Sequence, residues 1–216
     1  MRIEEGVELS RFTTLGTGGA ARGFARPDSE AEVEELLSWA QQRSLGVAVV
    51  GLGSNLLVAD GGVEALVLKL GGELAAVEVE GDVLRVGGGA ANAVALHRAR
   101  AAGLGGFEFA CAIPGTIGGG VWMNGGAYGG DFAGVLERAL VATADGIGWL
   151  TPAELGLSYR HSELHHGQVV VRAEVRLQPR PPEEIKAEVR QLNLRRKETQ
   201  PTNRRTFGSV DRKSVV

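Results

Sequence analysis

Apolar residues recur along parts of this chain with the spacing of an amphipathic helix. The clearest case follows Pro27, where Ser29 and Glu32 have the spacing of an N-terminal capping box. Its predicted buried face consists of Val33, Leu36, Leu37 and Ala40. Two more helices are predicted over residues 90–102 and 183–198, and Thr151 followed by Pro152 indicates the start of another.

Other segments have the β-branched and apolar content of short strands. The single strands are predicted at residues 9–15, 47–50, 65–70 and 168–177. The strands of two predicted hairpins are residues 74–80 with 83–86, and residues 139–144 with 147–150. Because strands outnumber helices and recur as hairpins, the pattern predicts an α+β chain and not a run of βαβ units.

Glycine interrupts this pattern most densely over residues 111–130, which read CAIPGTIGGGVWMNGGAYGG. Glycine weakens a helix or strand by about 0.5–1 kcal/mol per residue relative to alanine, so no ordinary element is expected there. Bare backbone suits close contact with a ligand, and Trp122, Asn124 and Tyr128 could add walls and hydrogen bonds. The stretch fits either the floor of a pocket for a large, flat, partly anionic molecule or a glycine-rich bend at a tight sheet corner.

A second glycine-rich segment, Gly51-Leu52-Gly53-Ser54-Asn55, directly follows a predicted strand. Amide, hydroxyl and carboxamide donors at a strand end are typical of a phosphate cradle, and a plain turn is the alternative. It is not a Walker loop, because no lysine follows a glycine in the chain. Residues 16–21 match G-x-G-x-x-A, but the sequence up to Pro27 cannot form the helix that a Rossmann site requires, so we reject that site.

Composition and charge narrow the functional class. Hydrophobic residues make up 44% and charged residues 23% of the 216, as in soluble globular proteins, and a net charge of −3 gives no reason to expect nucleic acid as a partner. No apolar run is long enough to span a bilayer, and the single Cys111 fits a reducing cytoplasm. We interpret Cys111 as a small apolar residue, and His165 and His166 as surface residues without a further metal ligand.

Several motifs in order resemble one family. They are GLGSNLLV, IPGTIGGGVWMNGGAYG, Tyr159-Arg160-His161-Ser162, Thr199-Gln200-Pro201 and Phe207-Gly208-Ser209. Together they resemble the UDP-N-acetylenolpyruvoylglucosamine reductases over nearly the whole chain, up to about Val210. The resemblance implies a two-part FAD-binding fold of the vanillyl-alcohol-oxidase (PCMH) type, with mixed and antiparallel sheets and flanking helices. It also implies these FAD contacts: Gly51, Gly53, Ser54, Asn55, Leu56, Gly115, Thr116, Gly118 and Gly119.

The family's reaction is a hydride relay from NADPH through FAD to an enolpyruvyl ether. Covalent relatives of the fold attach the flavin through a histidine in the first loop, and this loop has none, so FAD is expected to be non-covalent. The resemblance makes Arg160 the cation beside the substrate carboxylate and Ser209 the proton donor to the enolate. It places Tyr128, Tyr159 and Asn124 in the substrate pocket. Without the motifs, Arg160 would be read as a surface ion pair and Ser209 as a loop serine.

The resemblance also divides the chain into subdomains at residues 1–70, 71–178 and 179–216. After Val210 the family continues with Phe-x-Asn-Pro and a substrate-binding domain, whereas residues 211–216 read DRKSVV. We therefore expect a truncated, cytoplasmic and monomeric chain that binds FAD but reduces the UDP-sugar slowly or not at all. A non-catalytic FAD-binding module and a flavin oxidase of the same fold are the alternatives.

Overall fold

The computed structural model describes residues 2–200, 205–206 and 208. The strands are β1 (Ile3–Glu4), β2 (Val7–Glu8), β3 (Ala20–Ala25), β4 (Gly46–Val49), β5 (Val63–Leu68), β6 (Val77–Glu80), β7 (Val83–Gly87), β8 (Leu104–Gly105), β9 (Gly126–Ala127), β10 (Gly130–Asp131), β11 (Leu136–Thr143), β12 (Gly146–Leu150), β13 (Val169–Arg176) and β14 (Gln178–Pro179). The α-helices are α1 (Glu30–Gln41), α2 (Asn92–Ala101), α3 (Ile117–Trp122) and α4 (Pro182–Thr199). Short 3-10 helices cover Leu9–Phe12, Gly72–Ala75 and Glu108–Ala112.

The first sheet is mixed. Its strands lie in the order β1-β3-β5-β4, and β2 also pairs with β3. The three longer strands run parallel, and α1 connects β3 to β4, whereas β1 and β2 are antiparallel to β3. Strands β3 and β4 lie on either side of β5, and residues 50–62 connect β4 to its parallel neighbour β5. Both connections are long, since a tight turn can join only antiparallel strands.

The second sheet is antiparallel, in the order β12-β11-β13-β7-β6. The hairpins β6–β7 and β11–β12 are the two that the sequence predicts, and the first turns at Gly81 with a φ of +61°. This confirms the prediction of mixed and antiparallel sheets with flanking helices. The first sheet lies within residues 3–68 and the second within residues 77–176. The subdomain boundaries at residues 70 and 178 stay a prediction.

Helix α1 packs between the two sheets. Its buried residues are the four that the periodicity selects: Val33, Leu36, Leu37 and Ala40. They share one apolar cluster with Leu66 and Leu68 of the first sheet and with Val169 and Val171 of the second. The opposite face of the second sheet packs on α2 and α3 in a larger cluster. Because both faces of β13 are covered, its first three residues are continuously apolar, whereas residues 172–176 alternate between charged and apolar side chains.

The remaining strands and helices agree with the sequence in most places. Helices α1, α2 and α4 are confirmed, and the side chain of Ser29 accepts a hydrogen bond from the Glu32 N–H as the capping box requires. Strands β4, β5 and β13 are confirmed as well. The segment after Gly19 forms strand β3 and not a helix, which confirms the rejection of a Rossmann site.

Two predicted elements are wrong. Residues 9–15 are not a strand, because Leu9–Phe12 forms a 3-10 helix whose three-residue period brings Leu9 and Phe12 onto the same apolar cluster. Thr151 does not begin a helix. Its hydroxyl and Glu154 form the reciprocal cap, but the chain makes only one turn before Gly156, at a φ of +56°, turns it away.

The glycine-rich centre also differs from expectation, because it contains helix α3 with the sequence IGGGVW. Its glycines let the helix approach its neighbours closely. A Cβ on Gly120 would overlap the ring of Phe132, and one on Gly118 would lie 3.0 Å from the carbonyl oxygen of Gly88. The packing that these contacts permit offsets the low helix propensity of glycine.

Candidate active site

Two loops that are far apart in the sequence meet at the candidate site. The first, Gly51–Asn55, follows β4, and the second, Pro114–Thr116, leads into α3. The hydroxyl of Ser54 donates a hydrogen bond to the carbonyl oxygen of Pro114 and so ties the loops together. The structure therefore brings the two predicted cofactor segments into direct contact.

The first loop of this junction requires glycine at two positions, because a Cβ there would overlap neighbouring atoms. A Cβ on Gly51 would lie 2.6 Å from Oγ1 of Thr116, and one on Gly53, whose φ is +66°, would overlap the carbonyl oxygen of Phe12. A Cβ on Gly115 would meet only Oγ of Ser54 at 3.5 Å and Nδ2 of Asn92 at 3.8 Å. Bare backbone and hydroxyl groups at one junction fit the diphosphate of a dinucleotide.

Lys69 supports the first loop from the adjacent strand. Its Nζ donates to the carbonyl oxygen of Gly51 at 2.6 Å and lies 5.9 Å from the centre of the Phe12 ring. Burial, together with the nearby Arg26 guanidinium, lowers the pKa of Lys69. A cation on Gly51 O holds that carbonyl away from an anion bound at the junction.

Asn92 is a residue of this site that the sequence analysis misses. It begins α2, is 1% exposed, and its Nδ2 donates to the carbonyl oxygen of Ile113 at 3.0 Å. Its backbone N–H donates to the carbonyl oxygen of Gly115, also at 3.0 Å. Nothing local marks an asparagine in an alanine-rich helix as functional, because its partners belong to a distant loop.

Helix α3 connects this junction to a second half of the site around Asn124. Six residues at 1.5 Å per residue span about 9 Å, which sets the separation of the two halves. Asn124 is 2% exposed; its Oδ1 accepts from the Ala133 N–H at 2.9 Å and its Nδ2 donates to the Ser158 carbonyl at 2.9 Å. Both ends of the Asn124 side-chain amide therefore bond to the protein backbone, which supports a role in positioning the neighbouring loops. Direct contact of Asn124 with a substrate stays a prediction.

Arg160 lies in a tight turn that Asn124 anchors. Ser158 and His161 pair across the turn through two backbone hydrogen bonds of 3.1 Å, and Arg160 has a φ of +56°. Its Nη2 donates to the carbonyl oxygen of Gly126 at 2.5 Å. None of the ion pairs among residues 2–200 involves Arg160, so the alternative of a surface ion pair finds no support.

The two predicted substrate tyrosines both precede this arginine in the sequence, and each lies beside an arginine. Tyr159 is 86% exposed, with the Arg160 guanidinium 4.9 Å from its ring centre. Tyr128 has a φ of +54° in the loop between β9 and β10, and Arg195 of α4 lies 5.2 Å from its ring. Left-handed backbone is costly for Tyr128 and Arg160, although asparagine adopts it readily at Asn124, and the two costly positions support a functional constraint here.

The other predicted site residues differ in what they offer a ligand. Gly118 donates its N–H to the Gly88 carbonyl at 2.8 Å, so its amide is used in packing, while Gly119 is exposed. Asn55 is exposed and Leu56 is half-buried in a small apolar cluster. Gly208 lies against the first loop, since a Cβ there would be 3.2 Å from Oδ1 of Asn55. Ser209 lies outside the described residues.

Cys111, His165 and His166 are the residues that the sequence analysis interprets as non-catalytic. Cys111 is half-buried, and burial raises the pKa of its thiol, which disfavours the nucleophilic thiolate. His165 and His166 are exposed. In the part of the chain that the structure describes, no group of three or more His, Cys, Asp or Glu residues could hold a metal ion. Of the helices described, none is both long enough and apolar enough to cross a bilayer.

Comparison with solved structures identifies the fold. The reductase of Thermus caldophilus superposes with a TM-score of 0.84 at 36% identity, covering 96% of this chain and 73% of that one. Two other flavoproteins resemble this chain more distantly. A solvent-stable cholesterol oxidase has a TM-score of 0.64 at 18% identity, covering 82% of this chain and 38% of that one. A VAO-type flavoprotein from Myceliophthora thermophila has a TM-score of 0.59 at 21% identity, covering 81% of this chain and 37% of that one. At such low identity these two likenesses show the fold alone, and it is the predicted vanillyl-alcohol-oxidase type.

Comparison of sequences identifies the family. An FAD binding domain model matches residues 21–147, which include both loops of the junction. UDP-N-acetylenolpyruvoylglucosamine reductase 2 of Symbiobacterium thermophilum is 43% identical over 97% of this chain and 68% of its own length. The corresponding reductase of Myxococcus xanthus is 42% identical over 96% of this chain and 68% of its length. The chain therefore belongs to the UDP-N-acetylenolpyruvoylglucosamine reductase family.

Proposed function

We propose that this chain is a flavoprotein reductase that binds FAD non-covalently and uses NADPH to reduce UDP-N-acetylglucosamine enolpyruvate to UDP-N-acetylmuramate. The observation that carries the proposal is the junction of two bare-backbone loops, linked through α3 to the turn that presents Arg160. Family membership supports the reaction class, and the bare backbone of the junction supports FAD binding there.

The junction fits the diphosphate of FAD. Gly51, Gly53, Ser54, Gly115 and Thr116 offer close backbone approach and hydroxyl groups. When bound, FAD supplies a carrier for two electrons between NADPH and the sugar. The protein holds the two loops together and keeps the Gly51 carbonyl oxygen hydrogen-bonded to Lys69 Nζ. Its glycines leave the junction free of side chains.

Arg160 suits the carboxylate of the enolpyruvyl group. Guanidinium stays charged at all working pH values and can stabilise the negative charge that develops as the enolate forms. Two contacts orient the Arg160 guanidinium: its hydrogen bond to the Gly126 carbonyl and its contact with the Tyr159 ring. Ser209 is the proposed proton donor, and Tyr128, Tyr159 and Asn124 are the proposed substrate contacts.

The chain matches 68–71% of the length of its curated relatives. We further propose that the protein works as a monomer in the cytoplasm, in keeping with its single cysteine, and size-exclusion chromatography tests the first point.

Anaerobic NADPH oxidation, with and without the enolpyruvyl sugar, tests the function. We expect NADPH to reduce the bound FAD once when the sugar is absent, and the sugar to permit repeated turnover. Arg160→Met should abolish the sugar-dependent part while leaving the FAD affinity within about twofold, and Arg160→Lys should retain a fraction of it, because charge without the planar fork binds carboxylate less well. NADPH oxidation that never responds to the sugar, in wild type and variants alike, would indicate a non-catalytic FAD module. In a parallel aerobic assay, sugar-dependent oxygen consumption would indicate an oxidase.

A further inference from the structure

We propose that Asn92 is a positioning residue that holds the Ile113–Gly115 segment in the form that accepts the cofactor diphosphate. The inference rests on the proposed binding of FAD at this junction. Asn92 contacts the segment twice, because its Nδ2 donates to the carbonyl of Ile113 and its backbone N–H donates to the carbonyl of Gly115, both at 3.0 Å. The two bonds straddle Pro114.

The remaining carbonyl of the segment is also occupied. Pro114 O accepts from the hydroxyl of Ser54, so all three successive carbonyl oxygens have partners in the protein. A free carbonyl oxygen carries partial negative charge and would repel a phosphate if it turned toward the ligand. Asn92 and Ser54 thus act on the same three residues from opposite sides, with the bare Gly115 between them.

The side-chain oxygen of Asn92, Oδ1, makes it possible to distinguish a positioning role from a contribution to stability. Oδ1 is a buried side-chain atom with no hydrogen-bond partner in the described part of the protein. Burying an acceptor without a partner is unfavourable, whereas a leucine of similar size would leave no such atom. Losing the Nδ2 bond and relieving Oδ1 therefore offset each other in the stability of Asn92→Leu, while the loop loses its donor.

The test is a titration of the 216-residue apoprotein with FAD, followed by flavin fluorescence, together with thermal unfolding of the same apoprotein. We expect Asn92→Leu to raise the FAD Kd about tenfold, equivalent to about 1.4 kcal/mol, with an apoprotein Tm close to wild type. Val94→Ala is the matched control, since Val94 lies on the same helix with an exposed side chain, and its Kd should not change. Ser54→Ala should also weaken FAD binding, and the double variant should lose less than the product of the two effects.

The outcomes distinguish the inference from the function on which it rests. If wild type binds FAD and Asn92→Leu binds it equally well, the inference is wrong and the proposed function stands. If folded wild type binds no FAD, both are wrong. Should Asn92→Leu fail to fold, Asn92→Ala carries the same expectation. In either variant we expect faster hydrogen exchange of the amides of Ile113, Gly115 and Thr116, with unchanged exchange in the strands. Unchanged exchange at these three amides would overturn the proposal.

Discussion

At the scale of single residues, the site depends on amide side chains that bond to the backbone of distant loops. Asn92 holds the segment before α3 and Asn124 holds the segment after it. Both are almost fully buried, although asparagine is mostly exposed in proteins. Tyr159 and Arg160, two of the residues proposed to contact the substrate, are exposed. The buried amides are therefore suited to position the backbone, and the exposed side chains to meet a ligand.

Asn124→Ala tests the second of these positions. The variant leaves the Ala133 N–H without its side-chain acceptor and removes one of the two hydrogen bonds that the Ser158 carbonyl accepts, so we expect the free energy of unfolding to fall by about 1–3 kcal/mol. Urea denaturation of the apoprotein measures it. Ser162→Ala is the comparison, because Ser162 makes a single bond to the Trp122 carbonyl and should cost less. Equal stability of Asn124→Ala and wild type would show that these amide bonds do not anchor the Arg160 turn.

At the scale of elements, the packing of α3 depends on which glycine faces which neighbour. Gly120 faces Phe132, whose ring is fully buried and meets Phe107 and Phe109 edge-on. That ring cannot move aside, so Gly120→Ala should destabilise the apoprotein by about 1–3 kcal/mol. Gly119→Ala, one residue earlier, is exposed with no atom closer than 3.7 Å to its new Cβ, and should gain up to about 1 kcal/mol from helix propensity. Thermal unfolding of the two variants compares them, and a stabilised Gly120→Ala would refute the tight contact.

Strands β7, β13 and β11 are joined by a buried carboxylate. Glu174 is 5% exposed and accepts from Nε of Arg138 at 2.6 Å and Nε of Arg85 at 3.1 Å. The hydrogen bond from Arg138 is the main reason that the pKa of Glu174 is lowered, with charge attraction and Arg85 adding to it against the cost of burial. Because the folded-state pKa lies below the unfolded one, this stabilisation is complete above the ordinary carboxyl pKa and is lost as pH falls through the folded value.

Glu174→Gln should accordingly lower stability by about 1–3 kcal/mol at neutral pH, less than a fully buried pair would lose, since both arginines are partly exposed. The difference from wild type should shrink as the pH is lowered below the normal range of a glutamate. Denaturant unfolding at a series of pH values measures this, with Glu78→Gln, an exposed position on β6, as the control. A difference that stays constant down to acid pH would contradict the ion-pair account.

At the scale of the whole molecule, local patterns predict elements better than they predict the site. Helix α1 follows from Ser29, Glu32 and a four-residue apolar face, all of which act within one helix. The 3-10 helix at Leu9–Phe12 and helix α3 are missed because packing on Phe24 and Phe132 overrides local propensity. The motifs do indicate both cofactor loops, but the contact between Ser54 and Pro114 spans 60 residues and arises only from the arrangement of the sheets.

The central claim is that two loops of bare backbone, joined at Ser54 and Pro114, bind one molecule of FAD. Titrating the refolded or flavin-stripped 216-residue chain with FAD and recording the visible absorbance spectrum tests it most directly. The account predicts a saturable, one-to-one change in the flavin spectrum, and release of the intact flavin on denaturation, as non-covalent binding requires. Folded protein that remains colourless after desalting from excess FAD, with no spectral change during titration, would contradict it.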